Sequence, residues 1–142
     1  MTAKQLSIFI ENRRGRFGEV LDVLKNNNVN ILSLSLADTT EFGLLRLIVN
    51  DPQKGKDALI KEGFSSMLTD VLVIKIPHKT GSLQAILEML SSSGVSIEYA
   101  YGLSIEGNDA SIVIKTNDLE AACALLKQEG IDTMTGDEIT KL

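Results

Sequence analysis

The feature that most constrains this 142-residue chain is an internal repeat. Ile8 to Ile31 comprises a short apolar strand, the turn Asn12-Arg13-Arg14-Gly15-Arg16-Phe17, an amphipathic stretch, and Asn28-Val29-Asn30-Ile31. Ile74 to Ile97 has the same layout, with Gly81 answering Gly15 and Leu83 answering Phe17 (81 − 15 = 66, 83 − 17 = 66). Apolar residues at Phe17, Val20, Leu21 and Leu24, and again at Leu83, Ile86, Leu87 and Leu90, follow the i, i+3, i+4, i+7 spacing of a helix with one buried stripe. A repeat on this scale is a duplicated structural unit, and it predicts two units, residues 1–69 and 70–142. Units that small bury only about 60% of their unfolded surface, so they lean on a neighbour or a second subunit.

Within the first unit, Leu6 to Ile10 reads as a strand and Arg16 to Lys25 as a helix that stops in Asn26-Asn27-Asn28. From Asn30 to Leu36 the pattern alternates, with Ile31, Ser33 and Ser35 on one face and Leu32, Leu34 and Leu36 on the other, as in a half-buried strand. A turn and a second apolar strand, Leu44 to Val49, make a hairpin. Asp51-Pro52 places a capping residue before a proline at the first helical position, and the helix it starts should end at Gly63. Phe64 to Leu68 completes a β-α-β-β-α-β unit.

The second unit repeats this plan with strands Val71–Ile76, Ser96–Ser104, Ala110–Thr116 and Ile131–Thr135, and helices near Ser82–Ser92 and Asp118–Glu129. Asp118 answers Asp51 and Gly130 answers Gly63 at an offset of 67, so one extra residue is expected in the second hairpin loop. Thr69-Asp70 is the whole expected linker, too short for independent motion, and the units are expected to pack as one body. The tail Asp137 to Leu142 echoes Asp70 to Lys75 at the same offset and is read as a short additional strand at a sheet edge or exchanged between subunits. The predicted fold class is therefore α+β: two ferredoxin-like units in tandem, each an antiparallel sheet with both helices on one face.

The bulk properties exclude several functions. No apolar run approaches the roughly 18–20 residues of a membrane span. The start, Met1-Thr2-Ala3-Lys4-Gln5, has no apolar core behind its lysine, so no signal peptide is expected. Cys123 is the single cysteine, which excludes an internal disulfide and suits a reducing, cytoplasmic setting. A net charge of −5 argues against nucleic acid. Residues 1–68 nevertheless carry nine Lys/Arg against eight Asp/Glu, with Arg13, Arg14 and Arg16 clustered in one turn. Enzyme chemistry is not expected. His78 is the lone histidine, no second ligand stands at metal spacing from it, and no catalytic triad or Walker-type loop can be assembled. Cys123 falls on an apolar helix face with Leu119, Ala122 and Leu126, the place of a core thiol. No cofactor or metal is expected.

The turns Asn12-Arg13-Arg14-Gly15-Arg16-Phe17 and His78-Lys79-Thr80-Gly81-Ser82-Leu83, each followed by a helix, by Val-Asn-Ile or Val-Ser-Ile, and by a hairpin, resemble those of ACT domains, small regulatory modules of amino-acid metabolism. The family's turn usually reads Asp-x-Pro-Gly-x-Leu, with an Asn after the first helix. Here Asn12 and His78 stand for its Asp, Arg14 and Thr80 for its Pro, and Ser96 replaces the second Asn. The resemblance covers the whole chain. It implies a free amino acid bound at the interfaces between ACT units. The residues implied are Asn12, Arg14, Gly15, Arg16, Phe17, Gly18, Asn30 and Ile31 in the first copy and His78, Thr80, Gly81, Ser82, Leu83, Ser96 and Ile97 in the second.

Physical chemistry supports such a ligand independently. A turn glycine lets the backbone approach closely, and the amides of a helix start favour a carboxylate. Arg14 or Arg16 can add a charge-assisted contact, and Asn30 can both donate and accept. The same residues also fit plainer roles: turn glycines, a solvated arginine cluster, and an asparagine satisfying backbone groups. Tyr99 and Tyr101, where the first copy has Ser33 and Ser35, fit sheet packing or an interface as well as ligand contact. Two function classes follow. One is a sensor, expected as a homodimer, that reports an amino acid to a partner enzyme of amino-acid metabolism. The other is an assembly subunit with no ligand of its own. A third reading, metal sensing by His78 across a dimer, requires stability that depends on metal.

Overall fold

The structure is a computed structural model and describes residues 2–11, 13–38 and 41–141. The elements are β1 (Ala3–Glu11), α1 (Arg16–Asn26), β2 (Ile31–Asp38), β3 (Phe42–Val49), α2 (Pro52–Lys61), β4 (Ser65–Pro77), α3 (Ser82–Ser92), β5 (Ile97–Glu106), β6 (Asp109–Thr116), α4 (Leu119–Gln128), β7 (Asp132–Thr133) and α5 (Gly136–Thr140). The chain divides into two compact units, Lys4–Thr69 and Asp70–Lys141, the latter taking in Ala3.

In the N-terminal unit β3 lies between β2 and β1, antiparallel to both, and β4 follows β1. One face packs on the two helices: Leu6, Ile8, Leu45 and Leu47 meet Val20 and Leu24 of α1 and Leu59 of α2, all fully buried. In the C-terminal unit β6 pairs with β5 and β4, and β7 pairs with β4. Leu72, Ile74 and Ile114 meet Leu90 and Leu126 there. Each unit is thus an antiparallel sheet with its helices on one face, the α+β plan read from the repeat. Of the expected helix stripes, Leu21 and Leu87 stay outside the cores, whereas Phe17 and Leu83 pack against them. Cys123 also packs against the second core, half-buried.

The helix starts follow local chemistry. Asp51 accepts from the Lys54 amide at 3.2 Å and Asp118 from the Ala121 amide at 3.0 Å, each capping its helix. At the end of α1, Asn28 takes φ +57°, and the Val29 amide returns to the Leu24 carbonyl at 2.9 Å.

Four expectations need correction. Thr69 and Asp70 lie inside β4 and do not form a linker; two polar residues in an otherwise apolar run did not interrupt the strand. Pairing slips by one residue between Ile31 and Ser33, so Ile31, opposite Val49, faces the helices with Leu34 and Leu36, and only Ser33 and Ser35 face away. A bulge adds one residue to one strand, so alternation read straight through it changes face. The second copy's extra residue appears inside β5. Register slips between Gly102 and Ser104, leaving Leu103 as a bulge, with no counterpart slip between Ser33 and Asp38. The tail is not a strand. Thr135 accepts from the Glu138 amide and Glu138 Oε1 accepts from the Thr135 amide, both at 3.3 Å. This capping box starts α5, and β7 is accordingly only two residues long. Met134 and Ile139 are buried, and Met134 Sδ accepts from Ser111 Oγ at 3.4 Å on the sheet face away from the helices.

Candidate functional site

The two strand-to-helix turns have one backbone. Gly15 caps α1 at φ +86°, ψ −11°, and Gly81 caps α3 at φ +88°, ψ −9°, a left-handed conformation that a residue with a Cβ adopts only under strain. The Arg16 amide donates to the Arg13 carbonyl at 3.3 Å, and the Ser82 amide to the Lys79 carbonyl at 3.2 Å. The first helical bonds follow at 3.0 Å from Glu19 to Gly15 and from Ala85 to Gly81. Among the described residues no acceptor meets the Phe17 and Gly18 amides of α1 or the Leu83 and Gln84 amides of α3. Asn12 lies outside the described residues.

The arginines of the first turn separate into distinct roles. Arg13 pairs with Glu11 at 3.4 Å on the surface. Arg16 is held: its guanidinium carbon sits 4.1 Å from the centroid of the Phe64 ring, and Nη1 lies 2.6 Å from Glu19 Oε2. Its side chain is only 17% exposed, which makes it a packing residue over the core aromatic. Arg14 is exposed and, among the described residues, has no ion pair. Of the two arginines read as anion contacts, Arg14 is the one available.

In the second copy His78 and Thr80 are exposed and Ser82 is half-buried. The His78 amide donates to the Asn108 carbonyl at 2.7 Å, which ties this turn to the tip of the β5–β6 hairpin.

Asn30 and Ser96 stand at the opposite end of each unit. Asn30 follows the last turn of α1, an 11-residue helix, so about 16 Å of helix separates it from the Gly15 turn. That is several times the span of an amino acid's ammonium and carboxylate. Within one unit no such ligand can touch both the turn and Asn30, and a site using both needs two units.

Asn50 and Asn117 organise this far end, and both escaped the sequence reading. Asn50 Oδ1 accepts from the Asn30 amide at 2.8 Å while the Asn50 amide donates to the Asn30 carbonyl at 3.1 Å. Asn117 clamps Ser96 in the same way, at 2.9 and 3.1 Å. The available signal was the recurrence of Asn50-Asp51 as Asn117-Asp118. The Asn30 backbone is therefore satisfied and its exposed side chain is free of that duty. Ile31 and Ile97, next in sequence, pack against the two cores. Tyr99 and Tyr101 stack on one another, ring centroids 6.4 Å apart and planes 15° apart. They share the sheet face of Val113, away from the helices, because Tyr101 pairs with Val113.

Comparison with known proteins decides what these paired turns belong to. The ACT domain pair family matches residues 1–142. The chain belongs to that family. None of the curated proteins matches it significantly. Among solved structures the chain is similar to protein BT0572 from Bacteroides thetaiotaomicron, at 40% identity over 100% of this chain and 98% of that one, with a TM-score of 0.94. It also shares its fold with the regulatory subunit of aspartate kinase from Thermus thermophilus in a ligand-free form, at 16% identity over 88% of this chain and 90% of that one, TM-score 0.63. The corresponding subunit from Thermus flavus is 17% identical over 87% and 88%, TM-score 0.62. Among the described residues no helix is long and apolar enough to cross a membrane, and no group of three His, Cys, Asp or Glu could hold a metal ion. The ACT pair is a regulatory module.

Proposed function

We propose that this ACT domain pair, taken as units 1–69 and 70–142, is a regulatory sensor of a free amino acid. Its site joins the Gly15 turn of one ACT unit to the Asn30 end of a neighbouring unit, with the Gly81 turn and Ser96 as the second-copy counterparts. The observation that carries the reading is the duplicated left-handed glycine turn, whose leading amides and neighbouring Arg14 meet no partner among the described residues. Amides and guanidinium suit a carboxylate, and the Asn30 side chain suits an ammonium or a second polar group. Membership of the ACT domain pair family supports a role in amino-acid metabolism; in this reading the chain exerts it on a partner enzyme in the cytoplasm. The chain acts as a homodimer and without catalysis of its own.

Charge reversal tests this. Arg14→Glu removes a charge-assisted contact worth about 1.5–3 kcal/mol, so affinity for the cognate amino acid should fall about ten- to hundredfold in calorimetry. Oligomeric state by light scattering should not change. A second reading, the ligand-free assembly subunit, is favoured by the exposed apolar residues Phe9 and Phe42, which with Gly43 and Leu44 line a hollow of about 400 Å³ in the N-terminal unit. Under that reading Arg14→Glu disturbs assembly alone, because there is no ligand affinity to lose.

A further inference from the structure

The two copies of the repeat carry different side chains on the sheet face away from the helices. In the N-terminal unit Ile8, Ile10 and Leu45 belong to the core, so Phe9, which pairs with Leu44, and Phe42, which pairs with Glu11, lie on the opposite face. Phe9 is 51% and Phe42 49% exposed, and with Leu44 they line one hollow of about 400 Å³. Ser7 and Thr69 meet across the same face at 3.0 Å. Met67, two residues before Thr69 in β4, shares that face and is 52% exposed.

The register gives these residues counterparts in the C-terminal unit. Lys75 pairs with Ser111 as Phe9 pairs with Leu44, and Asp109 pairs with Pro77 as Phe42 pairs with Glu11. Lys75 and Asp109 form a surface ion pair at 3.8 Å, and the Ser111 hydroxyl is spent on Met134. The same strand pairing thus stands with charged residues at both places, so the fold does not require aromatics there. Exposed apolar residues scattered singly need no explanation, but two phenylalanines and a leucine around one hollow form a patch of the kind that marks an interaction surface.

Charge selects what covers the patch. Glu11 lies two residues beyond Phe9 in β1 and Arg46 two beyond Leu44 in β3, on opposite sides of the Phe9–Leu44 pair because the strands are antiparallel. A lipid surface asks for a basic rim, and a strongly acidic or basic partner for the opposite net charge. Unlike charges on either side of an apolar centre match a copy of themselves. A two-fold axis lying across the strands, between two facing sheets, brings Glu11 of each copy toward Arg46 of the other and the aromatics together in the middle. Two chains of net charge −5 also repel least where this balanced face meets itself.

We propose that this face of the N-terminal unit is the surface by which a second copy of the chain docks to form the homodimer. The proposal rests on the homodimer of the reading above and adds to it the face and its aromatic anchors.

The test is light scattering of the full chain over a range of concentrations. Phe9→Lys combined with Phe42→Asp installs the residues that the C-terminal unit already carries, so circular dichroism should match the parent while the dimer Kd rises about a hundredfold or more. Met67→Lys is a second variant, on another strand and at an exposed position, and should weaken the dimer about tenfold; it carries the test should the double variant not fold. If the parent is a dimer and neither folded variant weakens it, the face is refuted and the homodimer survives. If the parent stays monomeric at high micromolar concentration, the face falls together with the homodimer. Flotation of the parent, and not of the double variant, with phosphatidylcholine vesicles would assign the face to a lipid surface and overturn the proposal. Failure of the sensor reading itself shows in amino-acid binding and leaves the oligomeric state untouched.

Discussion

Leu24→Ala is expected to destabilise the N-terminal unit by about 2–5 kcal/mol, read from denaturant midpoints. Leu24 is fully buried in the core between α1 and the sheet. Its Cδ2 lies 3.4 Å from where a Cβ on Gly55 of α2 would be, and Leu6 Cδ2 lies 3.1 Å from the same point. Gly55 is thus a close-approach glycine where the helix meets the core, and Ala122 occupies its place in the C-terminal unit, also fully buried. Truncating Leu24 leaves a cavity beside Gly55 and removes one of the three side chains, Leu6, Leu24 and Val29, that a Cβ there would meet within 4 Å. Gly55→Ala should therefore be better tolerated in the Leu24→Ala background than alone. A double-mutant cycle should give a coupling of about 0.5–3 kcal/mol, and additive effects would mean that the two positions do not share that space.

Gly15→Val is expected to cost about 1–3 kcal/mol of stability and to abolish ligand binding by the first turn. At φ +86° a β-branched side chain is strained, although the surrounding space is open. The cost is therefore conformational and not steric. This separates it from the effect of a core substitution: Gly15→Ala should show much of the same loss, and Gly15→Asn less, because asparagine tolerates the left-handed region. The parallel change at Gly81, φ +88°, should give a similar stability loss. A large difference between the two in ligand affinity would show which turn is occupied. If Gly15→Val binds the ligand as well as the parent does, the first turn is not part of the site.

Much of this was written in short-range chemistry. The Asp51-Pro52 start, the asparagine stop of α1 and the duplicated glycine turns are local signals, and each appears in the structure where its residues stand. What escaped depends on pairing between distant residues. Alternation of period two is silent about a slip, so the faces of Ile31 and of the β5 residues beyond Gly102 needed the partner strand to be fixed. The tail carried two competing cues, an echo of β4 and a Thr-x-x-Glu box. The box won because its hydrogen bonds are made within four residues, while the echo shared few apolar positions. Arg16 could not be told from Arg14 by sequence, since only the fold brings Phe64 beneath one of them. The separation of Gly15 from Asn30 by the length of α1 is likewise geometry that a list of motif residues conceals.

The central claim is that this ACT pair responds to an amino acid, and its mechanism would be linkage. A ligand held between units favours one arrangement, and a partner that prefers that arrangement senses the ligand's concentration. The most direct test is a thermal-shift screen of the purified chain against the twenty amino acids at millimolar concentration. A ligand that binds only the folded state stabilises it by about 2.7 kcal/mol at a hundredfold excess over Kd, a shift of several degrees in a protein of this size. The account predicts a clear shift for one small group of related side chains and none for the rest. An unchanged Tm with all twenty would contradict it and leave the assembly subunit as the better description.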